Sequence, residues 1–454
     1  MNGLMQGVQL TVDRIINHAA QWHGGREIVS RDAEGLVTRT DYGAVHADAK
    51  RVSNALRAAG IMPGDRVATM GWNSARHLAA WYGAAGMGAV LHTLNPRLFP
   101  EQIAYIAKHA GSRILIADPS TVDLVEQLLK QVPTIERVIF FCDRAGMPET
   151  HIAAISFDEW IADQPADFVW GDFDENSACG LCYTSGTTGN PKGVLYSHRS
   201  NYIHALMTLQ ADALALSARD TVLLVVPMYH ANAWGVVYSA PAVGAKLVLP
   251  GQRMDGESIY RLIEEEGVTY SAAVPTVWQM LLEYMQENDK RFSTLERVTI
   301  GGSACPESLI RAFRDDYGVE VIQGWGMTET SPLGTVSVAN ASVAAKPDEE
   351  QMAYKLKQGR LLCGLEMKLV DDAGNRLPHD GKTPGRLMIK GPTIAAAYFG
   401  AEGGNILDED GFFDTGDVST IDAEGYMQIT DRAKDVVKSG GEWISSIEIE
   451  NIAA

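Results

Sequence analysis

An α/β fold is predicted by three observations: short apolar runs alternating with helical-period stretches from about residue 65 to 330, a shift to short strands parted by turn residues after about residue 359, and an ordinary globular composition. The expected architecture is two helix-covered parallel-type sheets plus a small β-rich subdomain. At 454 residues the chain has room for about three folding units. Hydrophobic residues make up 46% and charged residues 21%, which excludes wholesale disorder.

The elements follow in order. Arg66–Met70 reads as a strand and Ala75–Gly88 as the helix after it; Arg113–Ala117, the helical stretch Val122–Val132 and the strand Arg137–Phe141 continue the alternation. Thr221–Val226, Lys246–Leu249, Tyr270–Val274, Val298–Ile300 and Glu320–Ile322 are strand-like. Between them, Val277, Met280, Leu281, Tyr284 and Met285 fall at i, i+3, i+4, i+7 and i+8, one apolar helical face expected to pack in the core. Residues 336–357, rich in Ala, Ser and charge without a period, read as a loop. Glu366–Val370, Arg386–Lys390, Phe412–Phe413 and Tyr426–Ile429 are the strands of the β-rich part. The domains expected are a large unit over 1–431, its α/β part reaching about 335 and its β-rich part spanning about 359–431, followed by a hinge and stump over 432–454.

Charge and cysteine content narrow the function classes. With 38 Lys+Arg against 57 Asp+Glu the net charge is -19, which disfavours nucleic-acid or membrane-surface binding while leaving room for a local basic pocket. No uncharged apolar run nears the ~18 residues of a membrane helix, and the N-terminus interrupts its apolar residues with Asp13, Arg14 and Asn17. Five cysteines, an odd number, point to a reducing, cytoplasmic setting. Cys179 and Cys182 form a C-x-x-C without a second pair or His cluster, and read as thiols in a buried strand.

The most informative segment is Tyr183-Thr-Ser-Gly-Thr-Thr-Gly-Asn-Pro-Lys-Gly193. Its glycines let backbone N–H groups turn inward around anionic oxygen, the hydroxyls of Thr184, Ser185, Thr187 and Thr188 add donors, and Lys192 supplies a positive charge. The loop is built to hold phosphate. A Walker loop requires Gly before the Lys and Ser or Thr after it, whereas Pro191 and Gly193 stand there, and Val194-Leu195-Tyr196 leaves as a strand where a Walker loop opens a helix.

This segment resembles the phosphate loop of the adenylate-forming superfamily, which includes acyl-CoA synthetases, luciferases and peptide-synthetase adenylation domains. Pro227–Trp234, Gly301–Pro306, Gln323–Glu329, Gly385–Pro392, Asp414–Asp417 and Asp431–Asp435 follow in family order, so the resemblance spans nearly the whole chain. It implies that a carboxylate attacks the α-phosphate of ATP to give acyl-AMP and pyrophosphate, and that coenzyme A then displaces AMP. By the same resemblance, Thr184, Ser185, Gly186, Thr187, Thr188, Gly189 and Lys192 would hold the β- and γ-phosphates. Glu329 would ligate Mg²⁺, and Thr328 would donate to the α-phosphate. Trp325 would offer a face to adenine, with Gly302, Ser303 and Ala304 against the other face; Gly324, Gly326 and Met327 complete the nucleotide loop. Asp417 would accept the ribose hydroxyls and Arg432 donate to them, with Lys434 at the family's hinge and Lys438 beyond it among the nucleotide-binding residues.

His230 and Trp234, four apart, fit one helical face in a core when read alone. The resemblance instead puts His230 between the nucleotide and acyl sites and likens Trp234 to an aromatic gate on an apolar tunnel. Gly301 and Gly326 are expected in that substrate pocket, with Val236, Val237, Ala240 and Ala242 lining or backing the tunnel. His92–Leu98 and Lys438–Ser446 look most like medium- and long-chain fatty acyl-CoA synthetases and their methylthioalkanoate-using relatives. A short thioether- or aryl-acid CoA ligase of the same superfamily and a non-catalytic nucleotide- or acyl-binding module are the alternatives. The family's C-terminal domain carries a near-terminal lysine, whereas this sequence stops twenty residues past Lys434. A chain ending there is expected to adenylate slowly and to form thioester poorly. Self-association into a homodimer, through apolar surface left near residue 450, is a further expectation.

Overall fold

A computed structural model describes residues 1, 3–32, 35–184 and 190–432, and the backbone alone of 437–439 and 442–444. Two large sheets carry the α/β part. The first has seven strands in the order Ala154–Ser156, Arg137–Phe140, Ile114–Ala117, Arg66–Met70, Val90–Thr93, Ala178–Tyr183, Gly193–Ser197, parallel except for the last pair. The inner strands Val90–Thr93 and Ile114–Ala117 are buried throughout because both faces are covered; the second is a continuous apolar run, and in the first the His92 ring lies 2.8 Å from the Ser112 hydroxyl.

The second sheet has nine strands: Arg360–Leu361, Leu333–Val336, Glu320–Gly326, Arg297–Ile300, Tyr270–Ala273, Thr221–Leu223, Lys246–Leu249, Glu27–Arg31 and Val37–Asp41. Six of these run parallel, and antiparallel pairs close both ends. Glu27–Arg31 and Val37–Asp41 went unread in the sequence. The first pairs with Lys246–Leu249, over two hundred residues away, with Ile28 opposite Leu247; local pattern holds no record of such a partner. A third, antiparallel sheet joins Glu366–Val370, Gly385–Lys390, Phe413–Ile421 and Met427–Arg432, which is the β-rich part expected. Val437–Ser439 and Glu442–Ile444 pair by themselves.

Side-chain caps start the covering helices where the sequence supplies Ser or Asp. Asp41 accepts from the Ala44 N–H to open Tyr42–Ala58, and Ser74 accepts from the His77 N–H to open Ala75–Gly86. Two readings are corrected. Residues 336–357 are not one loop: Leu333–Val336 ends as a strand, and the helices Ala341–Ala344 and Asp348–Lys355 follow, the first capped by Asn340. In helix Pro275–Glu287 the fully buried apolar side chains are Trp278, Leu281, Leu282 and Met285, whereas Met280 is 43% exposed and Val277 half-buried. The apolar stripe is wider than one face, and its outer edge turns away from the core.

The C-x-x-C thiols are buried and unpaired. Asn201 donates to the Cys179 Sγ, Cys182 lies 3.1 Å from the Thr93 hydroxyl, and burial pushes the Cys179 thiol up to about 12. Both are packing residues of strand Ala178–Tyr183. Among the described residues no helix is long and apolar enough to cross a membrane.

The helix Asp13–His23 docks on helix Val236–Val243, where Gly244 takes φ +69° and the His23 ring lies 2.1 Å from where a Cβ would stand. Gly244→Ala is expected to lose about 2–4 kcal/mol, the sum of left-handed backbone strain and overpacking. Gly267→Ala, with the same φ sign and open space around it, isolates the backbone part at about 1 kcal/mol. Chemical denaturation of the two variants checks the difference.

Candidate active site

A cavity of about 700 Å³ opens beyond the C-terminal ends of Thr221–Leu223, Tyr270–Ala273, Arg297–Ile300 and Glu320–Gly326. Parallel sheets place ligand sites there because side chains from successive strand ends converge in the crevice. Gly324, Trp325, Gly326, Met327 and Thr328 form one wall; Val225, Val226, Met254, Val274, Val277 and Met280 form an apolar one. Val277 and Met280, read as core in the sequence, are therefore cavity residues.

His230 and Trp234 also line the cavity, and not by sharing a helical face. Asn232, Ala233 and Trp234 take φ of 56°, 49° and 55°, a left-handed turn that costs about 1–2 kcal/mol per residue. Asn232 is buried and donates through Nδ2 to the Asn201 Oδ1 at 3.1 Å, while the Ala233 N–H donates to the His230 carbonyl at 2.7 Å. These bonds help hold the turn against its strain. As a result the Trp234 ring lies against Gly301, 3.2 Å from where a Cβ would begin, and a side chain at 301 would displace it. Desolvation by the surrounding protein, and then the Arg97 charge, lower the pKa of His230. Val236, Val237 and Ala240 are not on the cavity wall: they are buried in helix Val236–Val243, with Ala242 packed beside them, because the left-handed turn swings that helix into the main core.

Glu329 is 5% exposed, on the turn that leaves strand Glu320–Gly326. The Tyr398 hydroxyl donates to its Oε1 at 2.7 Å, and its other oxygen has no hydrogen-bond partner among the described residues. Burial, and then the Glu329 charge, raise the Tyr398 pKa, so the phenol keeps the proton it donates. The Lys192 ammonium sits over the Tyr398 ring, 4.9 Å from its centroid. The ends of the 184–192 loop are tied together: the Thr184 N–H donates to the Lys192 carbonyl at 2.9 Å, and the Lys192 N–H to the Thr184 hydroxyl at 3.3 Å. Beside Thr328, the Tyr196 hydroxyl donates to its carbonyl at 2.7 Å, joining the seven-stranded sheet to this turn. Among the described residues no three His, Cys, Asp or Glu cluster as metal ligands. One carboxylate with a free oxygen suits a hard cation that arrives with most of its oxygen ligands, as Mg²⁺ does on a polyphosphate.

Asp417 is 1% exposed in strand Phe413–Ile421, yet it reaches the cavity through Trp325, whose indole N–H donates to its Oδ2 at 2.9 Å. Arg432 lies 2.9 Å from its Oδ1. Burial raises the Asp417 pKa, and Arg432 and the indole work against that rise. Of the nucleotide residues expected, Gly302, Gly324, Trp325, Gly326, Met327 and Thr328 line the cavity. Ser303 and Ala304 are exposed on the same turn without lining it, since the chain has already turned outward after Gly302. Ser185, Gly186, Thr187, Thr188, Gly189, Lys434 and the side chain of Lys438 lie outside the described residues.

Tyr398, Tyr196 and Asn201 were missed. Tyr398 follows Ala395-Ala396-Ala397 in a stretch without period or motif chemistry, and Tyr196 reads only as a strand aromatic. Nothing in their spacing names a partner 69 or 132 residues away.

The chain is similar to known proteins over most of its length. The model of the AMP-binding enzyme family matches residues 16–399. A medium-chain-fatty-acid–CoA ligase of Ectopseudomonas oleovorans is 46% identical over 454 residues, all of this chain and 83% of that protein. A 3-methylmercaptopropionyl-CoA ligase of Ruegeria lacuscaerulensis is 47% identical, again over the whole chain and 84% of the relative. Among solved structures, a Mycobacterium tuberculosis fatty acyl CoA synthetase superposes with a TM-score of 0.79 at 26% identity, covering 98% of this chain and 82% of that one. The chain belongs to the AMP-binding enzyme family.

Proposed function

We propose that this cavity activates a fatty acid with ATP and passes it to coenzyme A. In the first step a carboxylate oxygen bonds to the α-phosphorus and the bond to pyrophosphate breaks. In the second the coenzyme A sulfur bonds to the acyl carbon, and AMP leaves with the oxygen that joined them. The observation that carries the reading is the convergence of Lys192 and Glu329 on Tyr398, with Glu329 directly following Thr328 of a cavity wall whose other side is apolar. A carboxylate approaching a polyanion meets charge repulsion, and fixed positive charge beside a dry pocket offsets it.

Within that reading each residue has a task. Lys192 and the 184–192 loop hold the β- and γ-phosphates. Glu329 would hold Mg²⁺ through its free oxygen, and the ion neutralises phosphate charge when bound. Thr328 donates to the α-phosphate. Trp325 fixes Asp417 for the ribose hydroxyls, and Arg432 shares that carboxylate. His230, at the boundary between polar and apolar walls, steers the acid's carboxylate inward. Val225, Val274, Val277, Met254 and Met280 take the alkyl chain. Kinship to a 3-methylmercaptopropionyl-CoA ligase supports a second reading, a short thioether acid in the same pocket. Five unpaired cysteines suit a cytoplasmic enzyme.

Pyrophosphate release with ATP, Mg²⁺ and acids of graded length, 3-(methylthio)propionate included, tests both readings. Release is expected to peak at one acid and to fall about 10²-fold in Lys192→Ala, the usual loss when one preorganised donor is removed. Equal release by the variant contradicts the site. Met280→Trp is expected to shorten the longest accepted acid by about two methylenes, because the larger ring overfills the apolar wall. Short acids should react as before, and an unchanged length profile would place the alkyl chain elsewhere.

A further inference from the structure

The proposed reaction leaves one arrangement unexplained: a lysine and a glutamate lie near each other, just behind Thr328 of the cavity wall, without pairing, and one tyrosine touches both. Opposite charges so placed attract each other, and a direct Lys–Glu pair would neutralise the two groups that a nucleotide and its cation require. Tyr398 intervenes. Its ring face receives the Lys192 ammonium at 4.9 Å, and its hydroxyl donates to the Glu329 Oε1 at 2.7 Å. The aromatic face attracts a cation weakly and keeps it available. The hydroxyl occupies one carboxylate oxygen and leaves the other without a protein partner among the described residues.

The tyrosine is itself anchored by its neighbours on both sides. Before it, the Ala395 N–H donates to the Glu329 carbonyl at 2.8 Å, and the Ser331 hydroxyl donates to the Thr393 carbonyl at 2.7 Å. These two bonds bind the segment to the turn that carries Glu329. After it, Phe399 packs on Gly193 and, edge to face, on His109 at 5.5 Å. Glu402 accepts from the Tyr105 hydroxyl at 3.2 Å and lies 3.5 Å from the His109 Nε2, whose Nδ1 is 2.7 Å from the Tyr183 hydroxyl. Tyr183 is the residue before the phosphate loop. Residues 393–402 therefore form a clasp running from the Glu329 turn to the foot of that loop, with Tyr398 at its centre.

We propose that Tyr398 is a positioning residue: it orients the Glu329 carboxylate toward a divalent cation and holds Lys192 apart from it, so that both charges stay free for a metal-bound triphosphate. This rests on the reading that the cavity takes ATP with a divalent cation. The test is binding of Mn²⁺, followed by its electron paramagnetic resonance signal, in the presence of a non-hydrolysable ATP analogue. Binding of the analogue without metal is measured alongside by calorimetry. Tyr398→Phe keeps the ring and removes the hydroxyl. It is expected to raise the Mn²⁺ concentration for half-saturation about 5–10-fold, with metal-free analogue affinity unchanged and the thermal midpoint lowered by only a few degrees, as loss of one donor to a buried carboxylate entails. Tyr398→Leu removes the ring as well and is expected to weaken the metal-free analogue too, as Lys192 closes on Glu329. Mn²⁺ binding by Tyr398→Phe within twofold of the unaltered chain overturns the proposal, as does a fall in both affinities to the same degree in the two variants. If the unaltered chain binds neither the analogue nor Mn²⁺, the ATP reading fails, and this inference fails with it.

Discussion

A short segment of the nine-stranded sheet and its turn, Gly324–Leu333, is tied by hydrogen bonds to the other two large assemblies of strands, and the cavity depends on those bonds. Trp325 donates to Asp417 of the four-stranded sheet, Glu329 accepts from Tyr398 of the loop after strand Gly385–Lys390, and Tyr196 of the seven-stranded sheet donates to the Thr328 carbonyl. The Leu333 N–H donates to the His204 Nε2 at 3.0 Å. Burial pushes that imidazole down to about 4, so it remains a neutral acceptor at physiological pH. A buried carboxylate or carbonyl left without its donor costs more than a made bond gains. The sheets are therefore fixed at the points where their chemistry converges, and shifting one of them would strand a buried polar group.

The apolar half of the cavity rests on a different constraint. Three consecutive left-handed residues would not persist alone, and the Asn201–Asn232 bond with the close fit of Trp234 on Gly301 holds them. The strain turns helix Val236–Val243 into the core and leaves His230 and Trp234 facing the cavity. One backbone feature thus separates packing residues from pocket residues across 230–243.

Much of this was legible in the sequence because it is local. Phosphate-loop composition, the strand–helix alternation and the turn-rich strands after residue 359 are all short-range patterns, and the α/β class with its added β-rich sheet follows from them. Trp325, Thr328, Glu329 and Asp417 were found through motif resemblance and stand close together in space. What escaped was non-local. Strand Glu27–Arg31 finds its partner over two hundred residues away, and Tyr398 earns its place only through a hydroxyl aimed at Glu329. Helical periodicity misassigned Val277 and Met280 because an apolar side chain facing a pocket and one facing a core leave the same stripe. The turn at 232–234 escaped for another reason: Asn232 is a residue that takes left-handed backbone singly, but Ala233 and Trp234 give no sign that it continues through them.

Activation of an acid as its adenylate moves one carboxylate oxygen into AMP, and the path of that oxygen tests it. With a fatty acid labelled with ¹⁸O in its carboxylate, mass spectrometry of the products in the presence of ATP, Mg²⁺ and coenzyme A reports which bonds formed and broke. The account predicts one labelled oxygen in AMP and none in pyrophosphate. Label in the pyrophosphate, or AMP formed without label, would contradict attack of the acid on the α-phosphorus and with it the function assigned to Lys192 and Glu329.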